Sequence, residues 1–482
     1  MRQRTIAVMT LALAVGAAGS TGQLAAQETT EPSESVEAIT SVTIVDVRDG
    51  AFHADRTVVL EGDRIARIGP AEEIAIPDGA DVVDGEGGYL IPGLWDMHTH
   101  AASEGQTESL FRLFVANGIT GIRDMFGSLD VAESARASVE AGELPGPARI
   151  VVAGNLIDGP RSRVPGALTA STPDEGRNLV DSLHSAGVPF VKVYFGLTPE
   201  TYFAVAERSR ELGLPLVGHV PIFVRAAEAS DAGQRSIEHL TGVVRGCSAE
   251  EEQVFDDWRK ILGLGDMRAI AQHYMEPPGR ALATQDEEQC RRLIDRFVEN
   301  ETWQAPTLVS LRGKAYMRDL AAEDDPRKRY FAPPGRWIGG RPFGFPMTEE
   351  QWKIMQSRYE REKEIVGMMA ASGVPMLAGS DMGTPWAFPG FGLHDELELL
   401  VEAGLTPLQA LQAATLNPAR FFHRTEELGT VAEGKLADLV LLEGNPLEAI
   451  TNTRRIRAVV ADGRLYRRAD LDRLLAEVEA SK

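Results

Sequence analysis

Positive charge is in deficit in this chain. Its 482 residues hold 49 lysines and arginines against 71 aspartates and glutamates, a formal net charge of −22. Such a surface repels nucleic-acid phosphates and anionic lipid headgroups, so neither is expected as a partner, and the excess charge reads as solvation. Lysine itself is scarce, at eight residues, and histidine at nine. The only cysteines are Cys247 and Cys290, and neither stands in a Cys-x-x-Cys pair, which excludes a cysteine-built metal site. The two can pair in an oxidising compartment, but spacing alone does not decide it. After the N-terminal segment no apolar run is long enough for a bilayer, so the mature chain is expected to have no membrane span.

The N-terminal segment has the order of an export signal. Arg2 and Arg4 precede an apolar run from Ile6 to Ala18 of about thirteen residues, too short to span a membrane comfortably. Ala25-Ala26 then offers a cleavage point, with no cysteine nearby for a lipid anchor. Residues 1–26 are thus expected to be a signal peptide and 27–37 a disordered polar leader, with the mature protein periplasmic or secreted.

The rest divides by pattern. Val42–Val45, Thr57–Leu60 and Ile65–Ile68 read as strands, and so do Leu439–Leu442 and Ile456–Val460. Strands at both ends predict a small composite β-sandwich domain from residues 38–90 and 425–470. Between them, residues 91–424 alternate short apolar runs with helical patterns. Strands are expected at Gly93–His98, Gly121–Asp124, Ile150–Ala153, Val191–Tyr194, Leu216–His219, Ser236–His239, Ala305–Leu308 and Met376–Ala378. Helices are expected at Thr198–Leu212, Ile222–Ala232 and Glu349–Ser372. Eight βα units predict an α/β fold of the TIM type, a (β/α)8 barrel. The connections after the sixth and seventh strands each run to about 65 residues, a length typical of catalytic-face lids.

The scarce residues fall where such a barrel carries chemistry. His98-Thr99-His100 ends the first strand, and side chains two apart on a strand share a face, so both imidazoles can bind one cation. His219 and His239 end the fifth and sixth strands. Lys192 lies inside the apolar run Phe190–Tyr194, where an unpaired ammonium would be costly. It must be salt-bridged, deprotonated or modified, and a neutral amine can take up carbon dioxide to give a carbamate that bridges two cations. Asp381, after Ala378-Gly379-Ser380, can bind metal through one oxygen and accept a proton from metal-bound water through the other.

Pro92-Gly93-Leu94-Trp95-Asp96-Met97-His98-Thr99-His100 resembles the first-strand motif of the amidohydrolase superfamily. Lys192, His219, His239 and Asp381 fall where that superfamily has its ligands on strands four, five, six and eight. Asn417-Pro418-Ala419-Arg420 and Gly429-Thr430 through Gly434-Lys435-Leu436-Ala437-Asp438-Leu439 are similar to its C-terminal signature. The likeness covers nearly everything after about residue 38 and is nearest to the imidazolonepropionase-like branch, which includes Xaa-Pro dipeptidase-like enzymes. It implies His98, His100 and Asp381 on a first ion and Lys192, His219 and His239 on a second, bridged by carbamylated Lys192; histidine and carboxylate ligands in an apolar barrel suit zinc best, with manganese, iron or cobalt as substitutes. It also implies Asp381 as general base, with hydroxide on the metal attacking an amide or peptide-like C–N bond.

Dipeptidases of the branch commonly carry a glycine-rich stretch after the strand-four lysine, where this chain has Val193-Tyr194-Phe195-Gly196-Leu197. A one-zinc alternative therefore stays open: His98, His100, His219 and Asp381 hold the ion and His239 serves substrate, as in a cyclic-amide hydrolase. Lactone or ester hydrolysis fits the same ligands. The expected partner is a small-molecule or peptide-like substrate, and self-association is left open. Tyr194, Arg161 and Arg163 are candidate substrate contacts, since an arginine in the Pro/Gly-rich loop after strand three can clamp a carboxylate. Tyr330 to Pro346, rich in aromatics, glycine and proline, reads as a lid or a surface loop.

Overall fold

The computed structural model describes residues 36–103, 105–331 and 346–482. The expected signal peptide and almost all of the leader lie outside these residues, as does most of the Tyr330–Pro346 segment. No described helix is long and apolar enough to cross a membrane.

Both ends of the chain build one sheet. From the N-terminal part come β1 (Val36–Val45), β2 (Phe52–Glu61), β3 (Arg64–Pro70), β4 (Asp81–Asp84) and β5 (Tyr89–Pro92). The pairing order is β17-β16-β15-β5-β1-β2-β3, with β4 beside β1, where β15 (Leu439–Leu442), β16 (Ile456–Ala461) and β17 (Arg464–Arg467) come from the far end. This corrects the sandwich expectation: the two ends share one continuous sheet. An irregularity in β1 permits it. Ser41 has a φ of 54° and the register against β2 shifts around Val42, so the first half of β1 pairs with β4 and the second half with β5. The sheet curls, because β3 also bonds to the segment just before β15 (Ile65 N to Lys435 O, 2.8 Å). Ile39, Val58, Ile65, Leu90, Leu439 and Val460 pack together inside the curl. The chain then ends in a helix, Arg468–Ala480, that outruns the expected boundary at 470.

Between these parts run β6 (Leu94–Thr99), β7 (Ile119–Asp124), β8 (Arg149–Val152), β9 (Ile157–Asp158), β10 (Leu168–Thr169), β11 (Val191–Val193), β12 (Leu216–Gly218), β13 (Gln234–Glu238) and β14 (Trp303–Ala305). β6, β7 and β8 form one parallel sheet, and β9 to β14 another. Two links join them. Gln304 bridges in parallel to Met376, and Met97 N donates to Ala378 O at 2.9 Å, so residues 376–378 stand between β14 and β6. On the other side β8 pairs with β7, and β9, four residues further on, pairs with β11. The third expected strand, Ile150–Ala153, is thus β8, and a further short strand, β9, follows it after a break that holds Gly154 at a φ of 69°.

The seventh strand is shorter than expected. It stops at Ala305, and Leu308 opens a helix, Leu308–Ala315, because Thr307 turns the chain at a φ of 50°. The long connections are helical rather than irregular where described. Val243–Gly246, Glu251–Gly263, Met267–His273, Glu276–Ala283 and Glu287–Glu299 fill the first. The second contains Glu349–Ser372, with the bounds its pattern predicts: Thr348 and Gln351 cap its start reciprocally, and Gly373 ends it in the left-handed region. The Ile222–Ala232 expectation shrinks to Ala226–Asp231.

Candidate metal centre

The candidate ligands converge at the C-terminal ends of the parallel strands. His98 and His239 have ring centroids 4.4 Å apart, His98 and His100 5.3 Å, and His219 and His239 4.9 Å. Asp381 Oδ1 lies 3.3 Å from His100 Nε2 and 3.7 Å from His98 Nε2, and its Oδ2 lies 3.8 Å from His239 Nδ1. Donor atoms of His98, His100 and Asp381 all fall within 4.8 Å of one another. Lys192 is buried on β11.

Local backbone geometry aims these side chains. His239, Thr307 and Asp381 all follow strand ends with left-handed φ values of 57°, 50° and 51°. Such values are costly for residues other than glycine and need support from their surroundings. Gly379 keeps the eighth segment close to the first: a Cβ there would lie 2.7 Å from His98 Cβ. Gly218, at a φ of 118°, plays the same part before His219, since a Cβ would sit 2.4 Å from Val193 O.

Hydrogen bonds set the tautomers. His98 Nδ1 donates to Glu238 Oε2 at 2.8 Å, because a carboxylate can only accept. This leaves His98 Nε2 with a lone pair, and that atom is buried without a hydrogen-bond partner. Glu238 is held in turn by Arg123 Nη2 (2.9 and 3.0 Å) and Ser236 Oγ (2.5 Å), all buried. His239 Nδ1 pairs with Thr307 Oγ1 at 2.6 Å, and a proton placed there frees Nε2. Both nitrogens of His219 are buried without a partner, and its ring lies against Tyr194 and Phe195 at 4.3 Å each. Orphaned lone pairs in a buried cluster are expensive unless a cation takes them, so the donor set fits a divalent metal.

Burial pushes the imidazoles of His98, His219 and His239 well below their ordinary value, which keeps them neutral as ligands must be. Burial also pushes the Lys192 ammonium down to about 8, towards the neutral amine that carbamate formation needs. For Asp381 burial opposes ionisation, but the hydrogen bond from His100 and the nearby Lys314 ammonium hold it well below the usual carboxylate range. Its Oδ2 accepts from Ser310 Oγ at 2.7 Å, and Lys314 Nζ donates to that same Ser310 oxygen at 2.9 Å. Ser310 and Lys314 ride on the Leu308–Ala315 helix. Glu396, reaching in from another helix, accepts the helix's Val309 N–H at 2.8 Å.

A cavity of about 840 Å3 opens over the centre, lined by His100, Lys192, His219, His239 and Asp381. Tyr194 lines it too. Arg161 and Arg163 do not; both are exposed on their loop. A separate cavity of about 550 Å3 lies at the opposite strand ends, beside Arg235, Trp303 and Met376, and holds none of the candidate ligands.

The sequence reading missed Arg123, Glu238, Asp96, Thr307, Ser310 and Lys314. One signal for the first two was available: a charge in an apolar strand is as costly at Arg123 as at Lys192, and it demands a buried partner. Asp96 is a tie between strands. It accepts from Ser380 N and Ser380 Oγ, at 2.9 and 2.5 Å, and burial pushes its carboxyl up to about 6.

Residues 89–466 match the sequence profile of the amidohydrolase family. Adenine deaminase 3 of Rhizobium meliloti (strain 1021) is 27% identical over 259 residues, which cover 50% of this chain and 43% of that protein. The chain thus spans less than half the length of that curated relative. Among solved structures, bottromycin amidohydrolase superposes with a TM-score of 0.71 at 24% identity, over 94% of this chain and 91% of that one. A Xaa-Pro dipeptidase with methionine bound in its active site gives a TM-score of 0.65 at 21% identity, over 90% and 100%. At these identities the two structures speak for the fold alone.

Proposed function

We propose, for a chain that belongs to the amidohydrolase family, that it hydrolyses an amide or peptide-like C–N bond at the centre formed by His98, His100, Lys192, His219, His239 and Asp381. The observation that carries this is the set of buried imidazole lone pairs facing one carboxylate. His98, His100 and Asp381 would hold one cation, and Lys192, as its carbamate, would join His219 and His239 on a second. When bound, a divalent metal supplies Lewis acidity and brings the pKa of water towards neutrality; zinc suits this nitrogen and oxygen donor set best.

The chain's own part is proton handling and alignment. Asp381 presents Oδ1 to His98 and His100 and lines the cavity, where its carboxylate can take the proton of the attacking water and pass it to the departing nitrogen. Ser310 and Lys314 keep that carboxylate ionised and fix its plane. Glu238 orients His98, and Thr307 orients His239. Tyr194 lines the cavity beside His219 and is positioned for substrate contact.

In the one-metal alternative His98, His100, His219 and Asp381 would hold the ion, and three of these four, His98, His100 and Asp381, form a tight donor group. His239 would then serve substrate. With the function go a closed (β/α)8 barrel over residues 91–424 and the composite sheet domain of 38–90 and 425–470. Export goes with it too. Cys247 and Cys290 form a disulfide, a bond that persists in oxidising compartments. The test is incubation of zinc-loaded protein with a panel of dipeptides and N-acyl amino acids, followed by mass spectrometry. Products whose summed mass exceeds the substrate by one water support hydrolysis; isomerised or decarboxylated products would point to another reaction.

A further inference from the structure

The cavity over the metal centre departs from the charge of the molecule. The chain carries a net −22, yet the cavity lining holds four cationic side chains, Lys192, Arg245, Lys314 and Arg358, against two carboxylates, Asp381 and Glu362. Three of the four cations are committed. Lys192 belongs to the candidate ligand set. Lys314 donates to Ser310 beside Asp381. Arg245 donates to Val224 O at 2.6 Å and lies over the Phe255 ring at 4.7 Å, with Glu251 at 3.6 Å.

Arg358 is different. Its Nε donates to Glu362 Oε1 at 2.8 Å, and among the described residues its two terminal nitrogens have no hydrogen-bond partner. The side chain is 33% exposed, while Glu362 is buried at 2%. Glu362 therefore fixes the guanidinium plane and leaves the two-pronged end for something else. Both residues stand on the Glu349–Ser372 helix, one turn apart. Around them the cavity is lined by large apolar surfaces, Trp258, Met275, Pro277 and Met355.

We infer that Arg358 is the substrate's carboxylate anchor, and that the enzyme takes amides bearing a free carboxylate and a bulky apolar group, as in an N-acylated aromatic or aliphatic amino acid. This rests on the hydrolase reading above and names its substrate class. The end-on fork of a guanidinium matches a carboxylate with two parallel hydrogen bonds, which a lysine cannot reproduce. The role expected of Arg161 and Arg163 in the sequence passes to a residue that lines the cavity. The apolar wall supplies burial energy without direction, and the fork supplies direction.

The test is calorimetric binding of 2-benzyl-4-oxopentanoate, in which a methylene replaces the scissile nitrogen of N-acetyl-phenylalanine, and of its carboxamide to zinc-loaded wild type, R358Q and R358Q/E362Q, with turnover of the amide panel measured in parallel. The double variant leaves no buried carboxylate stripped of its partner, so it remains informative if R358Q is misfolded. Wild type is expected to bind the acid about 10- to 100-fold more tightly than the carboxamide, the range for hydrogen bonds to a charged group. Both variants should lose that preference and keep the affinity for the carboxamide. Equal affinities in wild type, or a preference that survives both variants, would overturn the anchor; the second result would put the carboxylate on the metal. Discrimination without turnover would fail the hydrolase reading and leave the anchor standing. Turnover without discrimination would do the reverse.

Discussion

His98 and Glu238 are joined by a buried hydrogen bond of 2.8 Å between Nδ1 and Oε2, although 140 residues separate them. The bond decides which imidazole nitrogen faces the centre. Carboxylate partners of ligating histidines typically change metal affinity by about 10- to 100-fold when removed. Glu238→Gln keeps the shape and can still accept a hydrogen bond, but loses the charge that favours the donor tautomer. Competition with a chromogenic chelator should show zinc affinity falling within that range. Unchanged affinity would remove Glu238 from the account.

Lys314 should set the acid limb of the pH profile. It helps to hold Asp381 well below the ordinary carboxylate range, together with the hydrogen bond from His100. A carboxylate base is lost as pH falls through its pKa, so removing a supporting cation moves that loss to higher pH. Lys314→Met should therefore shift the acid limb of kcat/KM upward while the protein keeps its zinc. A profile superimposable on wild type would exclude Lys314 from tuning the base.

Glu396 should contribute a loss of stability as pH rises across the neutral range. Burial pushes its carboxyl up to about 8 from an ordinary 4.5, so the folded protein holds a proton that the unfolded chain has released. Between those two values the unfolded state binds fewer protons, and stability contributed below pH 4.5 is lost progressively up to about pH 8. Glu396→Gln should flatten this part of the curve in urea unfolding at pH 5, 6.5 and 8. An unaltered slope would contradict the assignment.

The disulfide is a separate matter from catalysis. Cys247 and Cys290 close a loop of 43 residues within the helical connection after β13. Chain-entropy arguments give such a crosslink about 4 kcal/mol. The double variant Cys247→Ala/Cys290→Ala should unfold at lower urea concentration, and reductant should shift wild type towards it but leave the variant unmoved. Equal midpoints in oxidised wild type and the variant would show that the crosslink contributes nothing.

The ligands were readable because scarcity and period coincide. Four of nine histidines and Asp381 sit at the ends of short apolar runs, one of eight lysines sits inside one, and His98 and His100 fall on one face by simple alternation. Alternation also hid a residue. It sets Glu238 and His239 on opposite faces, yet His239 lies past the end of β13 at a φ of 57°, and both turn towards the centre. Ser310, Lys314 and Arg358 come from helices in the long connections, whose packing no local pattern specifies. Arg161 and Arg163 had the right chemistry on a loop whose Val164 lines the cavity, but both arginines are exposed and outside that lining. The single curled sheet was equally out of reach, since pairing β5 with β15 joins segments some 350 residues apart, as in Leu90 opposite Leu441.

The most direct test is zinc per chain, measured by atomic spectrometry on wild type, His98→Ala and Lys192→Ala under metal-replete conditions, beside amide turnover. Two zincs with turnover are expected for wild type. His98→Ala should lose both metal and activity. Lys192→Ala should also fall in both and recover part of each with a short-chain carboxylic acid, which can fill the place of the carbamate. A wild type that binds no zinc and hydrolyses no amide would contradict the account at its centre. One zinc in both wild type and Lys192→Ala would overturn the bridging role of Lys192 and give His239 to the substrate.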